Sequence, residues 1–455
     1  MRALRSGLVI ALTIVACQDP AGLDAGLLPD GRAPRDAAGH DAARSDAGAD
    51  RDAATPRAEG CAPLPSLPID AIRVGPERAG ELASIVSSAP SGATIALEDG
   101  TYTTSASGEA SRRLIFRQPG VTVRSVSGDA SRVVIDGEYI TNELLYIVAD
   151  DVTIADVTLT RAVDHLAHVT SETGDPTTGA RFSGVAFVDS GEQQVKINPG
   201  AADGWIDQGV VECSSFTLTD AGRPHVERAG GGCYTGGIDA HAARGWIVRG
   251  NTFTRIYCAG EGLAEHAVHF WRSSRDTLVE NNTIIDCARG IGFGLHDTME
   301  RRVYDDDPYS GIRPIAHFDG VIRNNVIFAT IPYYDTGIEL HYARGARVHH
   351  NTVVSSDAAT GFFSSIDYRF ATTEVAIANN LTRRITARDG ASATLAANLE
   401  SAPLDLFADA GALDFHLAAS AGAAIDQGVV LDDAGLDLDG EPRTDGSPDL
   451  GADER

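Results

Sequence analysis

The hexapeptide VENNTI at residues 279–284 belongs to a set of segments that repeat along the chain with Asn in the fourth place. The other members are VRGNTF at 248–253, IRNNVI at 322–327, VHHNTV at 348–353 and IANNLT at 377–382. Apolar residues around one fixed amide, repeated at intervals of roughly 20 to 50 residues, indicate a coiled stack of strands. The repeated amides are expected to stack at one bend and to bond backbone groups of neighbouring coils. They belong to Asn251, Asn282, Asn325, Asn351 and Asn380.

A second strand precedes each repeated Asn at a nearly fixed distance. The segments are GIDAH at 237–241, AVHFW at 267–271, GIGFG at 290–294, GIELH at 337–341 and GFFSS at 361–365. From the last residue of GIDAH, AVHFW and GIELH to the next Asn is 10, 11 and 10 residues. GIGFG breaks this spacing, because 31 residues separate Gly294 from Asn325. About twenty residues are therefore inserted after Gly294, and we expect them to close over this face as a lid.

Alternation along these strands places every second side chain on the outer face, in two columns. The first column reads Asp239, His269, Gly292, Glu339 and Phe363. The second column reads His241, Trp271, Gly294, His341 and Ser365. An exposed strand face usually carries Thr, Ser, Lys and Val, so this content of imidazole, carboxylate and indole predicts a cleft with a floor of two glycines. The alternative is an ordinary polar outer surface.

The opening of the repetitive region adds a helix and a strand. Residues 77–89 place Leu82, Ile85 and Val86 on one helical face, and GATIALEDGTYT follows at 92–103. This opening and the Asn repeats resemble the pectin-lyase-like right-handed parallel β-helix proteins, which include alginate and chondroitin lyases. The resemblance implies an all-β fold: a single-stranded, right-handed parallel β-helix of about ten to twelve coils, with an N-terminal cap helix and an acidic C-terminal cap that closes the last coil.

The chain before the repeats has the composition of an export signal and a tether. A short apolar run follows two arginines, and the sequence IVAC that ends at Cys17 resembles a bacterial lipoprotein lipobox, which makes Cys17 the lipidated residue. An ordinary signal peptide is the alternative. The sequence thus predicts a signal peptide at 1–17, a disordered Ala/Asp/Gly-rich tether at 18–60 and a β-helix domain at 62–455. We expect an exported monomer, lipid-anchored to the outer membrane or cell surface.

The charge of the chain restricts its partners. A net charge of -27 over 455 residues repels nucleic acid and anionic lipid headgroups, and an acidic polysaccharide partner needs local arginines or metal ions. Lys196 is the only lysine of the chain, and it lies in an apparent loop outside the two columns. Because proteins of this fold often use Lys or Arg as a base, the position of Lys196 puts a lysine-based mechanism in doubt.

The favoured chemistry for the two columns is that of a carbon–oxygen lyase acting on uronate-containing glycan. β-Elimination needs a cation to neutralise the carboxylate and a base to remove the proton at carbon five. The neutralising group is Arg272, Arg289 or a Ca²⁺ held by Asp239 or Glu339. The base candidates are the columns' histidines, His269 and His341 first, with His241 beside them.

Other roles for the same residues stay open. Trp271, Gly292 and Gly294 are candidates for binding the sugar, with His266 at the rim. Inverting hydrolysis requires two carboxylates about 6.5 to 9.5 Å apart, whereas Asp239 and Glu339 are expected roughly 14 Å apart. A third option is Zn²⁺ or Mn²⁺ above Gly292, held by His269, Glu339 and His341. The alternative to an enzyme is a non-catalytic surface protein that binds glycan or a partner through this face.

The cysteines after Cys17 suit an oxidising compartment. We expect Cys213 to pair with Cys233 and Cys258 to pair with Cys287, which leaves Cys61 unpaired. The acidic residues Asp437, Asp439 and Glu441 near the C-terminus are candidate Ca²⁺ ligands, with decoration of a cap loop as the alternative.

Overall fold

The chain forms a right-handed parallel β-helix. The computed structural model describes residues 61–62, 64–108, 112–200, 204–228, 232–260, 262–295, 302–359, 364–444 and 446–455. The predicted signal peptide, Cys17 and tether lie outside these residues. Each coil passes in turn through sheet 1, a bend, sheet 2 and sheet 3, and neighbouring coils pair in parallel.

Sheet 1 has fourteen strands and sheets 2 and 3 have ten each in the described part of the chain, which agrees with the predicted number of coils. The strands of sheet 1 are Ile72–Val74, Thr94–Leu97, Thr122–Ser125, Thr153–Ala155, Arg181–Ser183, Val210–Glu212, Ile247–Arg249, Ser274–Arg275, Leu278–Glu280, His317–Phe318, Val321–Arg323, Ala343–His349, Glu374–Ala378 and Ser392–Ala396. Those of sheet 2 are Gly100–Thr103, Val133–Asp136, Thr158–Ala162, Ala186–Ser190, Ser215–Thr217, Thr252–Thr254, Thr283–Ile285, Val326–Ala329, Thr352–Ser355 and Leu381–Thr382. Those of sheet 3 are Leu114–Phe116, Glu143–Ile147, His165–Val169, Gln193–Ile197, Gly236–His241, His266–Trp271, Arg289–Phe293, Thr336–His341, Ser364–Arg369 and Ile385–Arg388.

Short elements complete the fold. Two further strand pairs join Thr177–Thr178 to Ile206–Asp207 in parallel and Phe407–Asp409 to Asp414–Leu417 in antiparallel. The 3₁₀ helices are Pro76–Glu81, Thr104–Ala106, Ala130–Arg132, Arg223–His225, Leu404–Leu406 and Ala410–Ala412. None of the helices in the described ranges has the length and apolarity that crossing a bilayer requires.

The predicted cap helix is present as the α-helix Leu82–Ser88. Its buried face carries Leu82, Ala83 and Val86, and Leu82 and Val86 belong to the same apolar core as the first strands. Removing this apolar face from water stabilises the helix by burial rather than by capping, since no side chain bonds its N-terminus. The helix therefore covers the open end of the first coil.

Inside the coils, like residues stack on like. Phe187, Phe216 and Phe253 occupy equivalent places in three successive strands of sheet 2, and their rings stack with centroids 4.5 and 4.4 Å apart. All three are fully buried. Parallel strands repeat at about 4.8 Å, which is close to the separation at which aromatic rings pack well. The core is therefore a column of matched side chains that runs along the helix axis.

The predicted Asn ladder is confirmed. Asn282 Oδ1 accepts hydrogen bonds from Asn251 N and Nδ2 at 3.0 and 2.9 Å, while Asn282 Nδ2 donates to the carbonyls of Val248 and Glu280. The same pattern continues through Asn325, Asn351 and Asn380. Asn398 extends the ladder by one coil, an extension that the repeat search missed.

The bend that holds this ladder uses a left-handed residue just before each amide. Asn281, Asn324 and Asn379 have φ of 53°, 53° and 57°, and Ala397 has φ of 46° before Asn398. Asn tolerates this conformation better than most residues, whereas Ala does not. In the three repeats with two consecutive Asn residues, the first Asn adopts the left-handed conformation of the turn and the second makes the hydrogen bonds of the ladder.

The C-terminal segment does not close the last coil as expected. Phe407 and Phe415 pack with Phe328 and Val354, so the segment covers the outer side of sheet 2. Further along, the carbonyl of Asp437 accepts a hydrogen bond from Asn281 Nδ2, several coils back. These outward apolar residues of sheet 2 need a cover, and the segment supplies it.

The cysteine pairing differs from the expected one. Cys61 is bonded to Cys213 and Cys233 to Cys258, while Cys287 is a free, buried thiol. The expected pairs, Cys213 with Cys233 and Cys258 with Cys287, are wrong because Cys213 is bonded to the distant Cys61, which leaves Cys233 to pair with Cys258. The strand pairing of the β-helix brings distant residues together instead.

The insertion after Gly294 does not cover the glycines as a lid in its described part, which begins at Arg302. Arg302 donates to both carboxylate oxygens of Asp207, at 2.6 and 2.7 Å, and to the carbonyl of Ala242. Tyr304 OH donates to the carbonyl of Ser273. The insertion is therefore tied to the corner between sheets 3 and 1.

Candidate functional site

The outer face of sheet 3 carries the polar first column, and the register confirms four of its five predicted members. Asp239 pairs with His269, His269 with Gly292, and Gly292 with Glu339. In the second column, His241 pairs with Trp271. Strand alternation within matched coils therefore predicted these neighbours correctly.

The fifth strand was placed wrongly. Glu339 pairs with Asp367 and His341 with Arg369, so the strand is Ser364–Arg369 and not GFFSS. Ser365 lies in this strand but is not the partner of His341, and Phe363 lies outside the described residues. The spacing of the other coils indicates the correct strand, because Arg369 precedes Asn380 by 11 residues.

Lys196 is the second correction. It lies in the strand Gln193–Ile197 and pairs with Asp239, so it belongs to the first column and not to a loop. In the opposite direction His168 pairs with Lys196. The corrected first column therefore consists of His168, Lys196, Asp239, His269, Gly292, Glu339 and Asp367.

Lys196, Asp239, His241 and Trp271 form one hydrogen-bonded cluster. Lys196 Nζ donates to Asp239 Oδ2 and lies 3.3 Å from His241 Nε2, which is also 3.3 Å from Asp239 Oδ2. Trp271 Nε1 donates to Asp239 Oδ1 at 2.7 Å. Lys196, Asp239 and His241 are each buried, whereas Trp271 is half-buried. The indole therefore joins the buried charges to the surface.

Charge and burial set the protonation of this cluster. Burial acts to raise the pKa of Asp239, but the charge of Lys196 and the contact with His241 outweigh it and hold that pKa well below its usual value. Burial acts to lower the pKa of Lys196, and the Asp239 carboxylate reverses this and raises it. Burial, aided by Lys196, lowers the pKa of His241. At neutral pH the cluster therefore holds an ammonium, a carboxylate and a neutral imidazole.

The predicted floor of two glycines is not open. The imidazole of His266 fills the space above Gly292, because a Cβ on this glycine would lie 2.7 Å from His266 Nε2. Gly294 has φ of 72°, and a Cβ there would lie 1.8 Å from the carbonyl oxygen of His341. Glycine at these two positions accommodates neighbouring groups and does not leave a gap for a sugar.

Glu339 and His341 belong to a second cluster. Glu339 Oε2 accepts a hydrogen bond from His266 Nε2 at 2.7 Å, and its Oε1 lies 3.3 Å from His341 Nε2. His341 Nε2 also lies 2.8 Å from Asp367 Oδ2, and Arg388 donates to both oxygens of Asp367. Burial acts to raise the pKa of Glu339, and the charges of His341 and Arg289 with the His266 hydrogen bond hold it well below its usual value.

These contacts bear on the ion sites expected from the sequence. Asp239 and Glu339 are three register steps apart and have no common contact, and the oxygens of each carboxylate are engaged by nitrogen groups. Ca²⁺ prefers six to eight oxygen ligands, so neither carboxylate fits a Ca²⁺ site. The predicted Zn²⁺ or Mn²⁺ set of His269, Glu339 and His341 does not fit either, because Glu339 and His341 pair with His266 and Asp367. At the C-terminus, buried Asp437 accepts hydrogen bonds from Asp439 N and Glu441 N, so it organises a loop.

The two arginines singled out in the sequence lie at the edges of these clusters. The guanidinium of Arg272 lies 5.0 Å from the centroid of the Trp271 ring, and both side chains are half-buried. Arg289 pairs in register with His266, and its Nε lies 3.8 Å from Asp335 Oδ2. Of the two, Arg272 stands beside the half-buried indole.

The fold and the site allow a comparison with known proteins. No family model matches the chain, and no curated protein matches its sequence. Among solved structures, pectate lyase Pel9A is 16% identical over 85% of this chain and 97% of its own, with a TM-score of 0.54. An alginate lyase from Paenibacillus sp. str. FPU-7 is 15% identical over 72% and 97% of the two chains, with a TM-score of 0.46. PfbA, a surface adhesin of Streptococcus pneumoniae, is 11% identical over 69% and 85%, with a TM-score of 0.36.

The likeness to Pel9A confirms the fold predicted from the repeats. The chain is a β-helix protein of the architecture that Pel9A has. A likeness at 16% identity shows the fold alone, and a fold does not determine the function. The activity of this chain must therefore be argued from its own side chains.

Proposed function

We propose that the protein is a polysaccharide lyase that acts on uronate-containing glycan. The observation that carries the proposal is the buried cluster of Lys196, Asp239 and His241 on the outer face of sheet 3, capped by the half-buried Trp271. A β-helix does not need an ammonium, a carboxylate and an imidazole buried on its outer face, and burying charge is costly. Perturbed ionisable groups gathered beside an aromatic platform are typical of a reactive site.

The cluster suggests a division of roles. When His241 donates Nε2–H to Asp239 Oδ2, its Nδ1 carries the lone pair that accepts the proton from carbon five. The C5–H electron pair then forms the C4–C5 double bond, while the C4–O bond breaks and its electron pair leaves on the glycosidic oxygen. Arg272 neutralises the uronate carboxylate of a sugar stacked on Trp271. Lys196 keeps Asp239 ionised and thereby positions His241.

The test is an assay on a panel of acidic polysaccharides, such as polygalacturonate, alginate and chondroitin sulfate, read by the ultraviolet absorbance of unsaturated products. His241→Gln and Arg272→Gln are expected to reduce the rate at least 100-fold, as removal of a base or a charge-stabilising group does. His416→Gln, at an exposed histidine near the C-terminus, is the matched control and keeps the rate. Thermal melts of each variant separate loss of activity from loss of fold. Full activity in His241→Gln would exclude the assigned base.

The second candidate is a non-catalytic surface protein that binds acidic glycan or a partner through the same face. Its supporting observation is that the carboxylates of Asp239, Glu339 and Asp367 already pair with cationic or imidazole groups, as in a structural network. Retention on an immobilised polysaccharide without unsaturated product would favour this function. We propose further that either activity takes place outside the cell, on a chain anchored through a lipidated Cys17.

A further inference from the structure

Three side chains at the start of the strand His266–Trp271 face one another. Glu265 Oε2 lies 4.0 Å from His266 Nδ1 and 3.7 Å from His269 Nδ1, and one ligand atom from each of the three residues lies within 4.8 Å of the other two. These separations are too long for hydrogen bonds. In the described part of the chain, Glu265 Oε2 and His266 Nδ1 are buried and have no hydrogen-bond partner. Such groups are costly unless something else satisfies them.

The outer nitrogen of each imidazole fixes which nitrogen carries the proton. His266 Nε2 donates to the Glu339 carboxylate at 2.7 Å, and His269 Nε2 donates to the carbonyl of Gly294 at 3.0 Å. Since carboxylate and carbonyl oxygens only accept, both Nδ1 atoms carry lone pairs in the neutral rings. In that form of both rings, two lone pairs and a carboxylate oxygen converge with no proton among them. Nε2–H donation to a carboxylate or a carbonyl is also the arrangement that orients metal-binding histidines.

A local irregularity of the strand brings the two histidines to one face. In a regular strand, residues three apart point to opposite faces. Here Ala267 and Val268 are both fully buried in the core, so the strand bends between His266 and His269. The ring centroids of the two histidines are consequently 4.4 Å apart. The sequence alternation alone could not predict this juxtaposition.

Two other clusters of histidine and carboxylate are already satisfied. His341 Nε2 pairs with Asp367, which also binds Arg388. His416 Nδ1 and Nε2 contact Asp414 and Asp439. Among the three such clusters in the described ranges, only that of Glu265, His266 and His269 contains buried polar atoms without a hydrogen-bond partner, Glu265 Oε2 and His266 Nδ1.

We propose that Glu265, His266 and His269 form a binding site for a divalent transition metal ion of the zinc class. Two imidazole nitrogens and one carboxylate oxygen are a donor set that suits Zn²⁺ and leaves one position for water or a ligand. Bonds of about 2.0–2.2 Å place two ligands of a tetrahedral ion about 3.4 Å apart, so a small inward shift of the three side chains closes the site. This site does not depend on the proposed lyase reaction. Arg289, the register partner of His266, lowers its affinity by charge.

The test is isothermal titration of the chelator-treated, dialysed protein with ZnCl₂, repeated with CoCl₂, whose visible absorption reports the coordination. We expect one Zn²⁺ per chain. Glu265→Gln and His266→Ala are expected to weaken binding at least 10-fold, and Glu339→Gln, which alters the partner of His266 Nε2, by roughly 10- to 100-fold. Arg289→Gln is expected to strengthen binding several-fold. His416→Ala, in one of the satisfied clusters, serves as the matched control and keeps parental affinity.

The binding results of the variants distinguish a metal site at Glu265, His266 and His269 from binding elsewhere. Loss of binding in Glu265→Gln with retention in His416→Ala supports the site, provided that thermal melts show both variants folded. Because Glu265 is partly exposed, with a side chain 25% accessible, Glu265→Gln is the variant least affected by unfolding. Absence of stoichiometric Zn²⁺ binding in the parent protein overturns the proposal, as does unchanged affinity in both Glu265→Gln and His266→Ala. None of these results depends on whether the protein cleaves a polysaccharide.

Discussion

The Asn ladder and the first column of sheet 3 each place one residue per coil along the β-helix, and most of these residues are polar and buried, yet the two stacks differ in how they are composed. Every fully developed rung of the ladder is Asn and repeats the same hydrogen bonds to the next coil. The column changes residue type at each coil, and each member has different partners. The repeated Asn side chains satisfy the hydrogen-bonding groups of the backbone at the bend. The residues of the column vary from coil to coil, so the strand pairing does not determine them.

The largest expected effect comes from breaking a charge pair in the column. Lys196→Met leaves Asp239 buried without its ammonium partner and is expected to lower the free energy of unfolding by about 3–5 kcal/mol. The double variant Lys196→Met/Asp239→Asn removes both charges and should recover most of that loss. Denaturant unfolding at neutral pH measures both. If the double variant is no more stable than Lys196→Met, the loss of stability does not come from an unpaired Asp239 carboxylate.

Removing an Asn from the middle of the ladder is expected to lower the free energy of unfolding by slightly less than Lys196→Met does. Asn325→Ala removes the acceptor of Asn282 N and the donor to the carbonyls of Val279 and Arg323, and unpaired buried groups of this kind cost about 2–4 kcal/mol together. Asn398→Ala, at the half-buried end of the ladder, is the matched control and should cost about half as much. Denaturant unfolding of the two variants compares them. Equal losses would mean that position in the ladder does not matter.

The Asn ladder should also differ from the buried ionisable groups of the fold in its response to acid. Burial lowers the pKa of His165 and of His317 to about 3, whereas the unfolded chain takes up these protons near pH 6.5. Stability is therefore lost as the pH falls below 6.5, by about 2 kcal/mol per histidine at pH 5. Asp239 and Glu339, whose pKa values are lowered, lose their stabilising contribution only below about pH 4.

Unfolding free energies at several pH values between 5 and 7 check this prediction. His317→Gln should reduce the pH dependence by about one proton, because it removes one buried imidazole. Asn325→Ala should be less stable than the parent by the same amount at every pH in this range, since the ladder contains no titrating group. A changed slope in Asn325→Ala would show that the ladder is coupled to the titration of the buried histidines.

The smallest effect concerns the turn that precedes the ladder. Ala397→Gly is expected to raise the free energy of unfolding by about 0.5 kcal/mol, because Ala397 has φ of 46° and glycine adopts this conformation without strain. Ala396→Gly, one residue earlier within the strand Ser392–Ala396, is the control and should destabilise the protein by about 0.5–1 kcal/mol. Thermal melting of the pair distinguishes the two signs.

The same contrast explains what the sequence could predict. The ladder, its bend and the register of Asp239, His269 and Glu339 could be predicted from spacing. Equivalent positions of successive coils require the same residue types, so the requirement is visible as a sequence repeat. The place of Lys196 in the first column was not predicted, because an irregular stretch separates its strand, Gln193–Ile197, from Ser214. The backbone N–H of Ser214 donates to Asn251 and so begins the ladder. The fifth strand was misplaced because the apolar pattern of GFFSS was preferred to the distance from Asn380.

Other features had no local signature at all. The meeting of His266 with His269 depends on a bend within one strand, and the pairing of Cys61 with Cys213 depends on how coils stack. The cover of sheet 2 by Phe407 and Phe415 depends on the path of a segment that has no repeat. Each of these is a tertiary contact, which alternation and spacing do not report.

The disulfide between Cys61 and Cys213 also decides where a mechanical load enters the molecule. A pull on the chain that precedes Cys61 passes through the sulfur bridge to Cys213, at the bend after the strand Val210–Glu212, and bypasses the coils built from residues 72–197. Tension would then act on the flank of the rod, near its middle, and the first coils would stay unloaded. If the bridge is reduced, the same pull peels the strand Ile72–Val74 from its neighbour and opens the rod from one end.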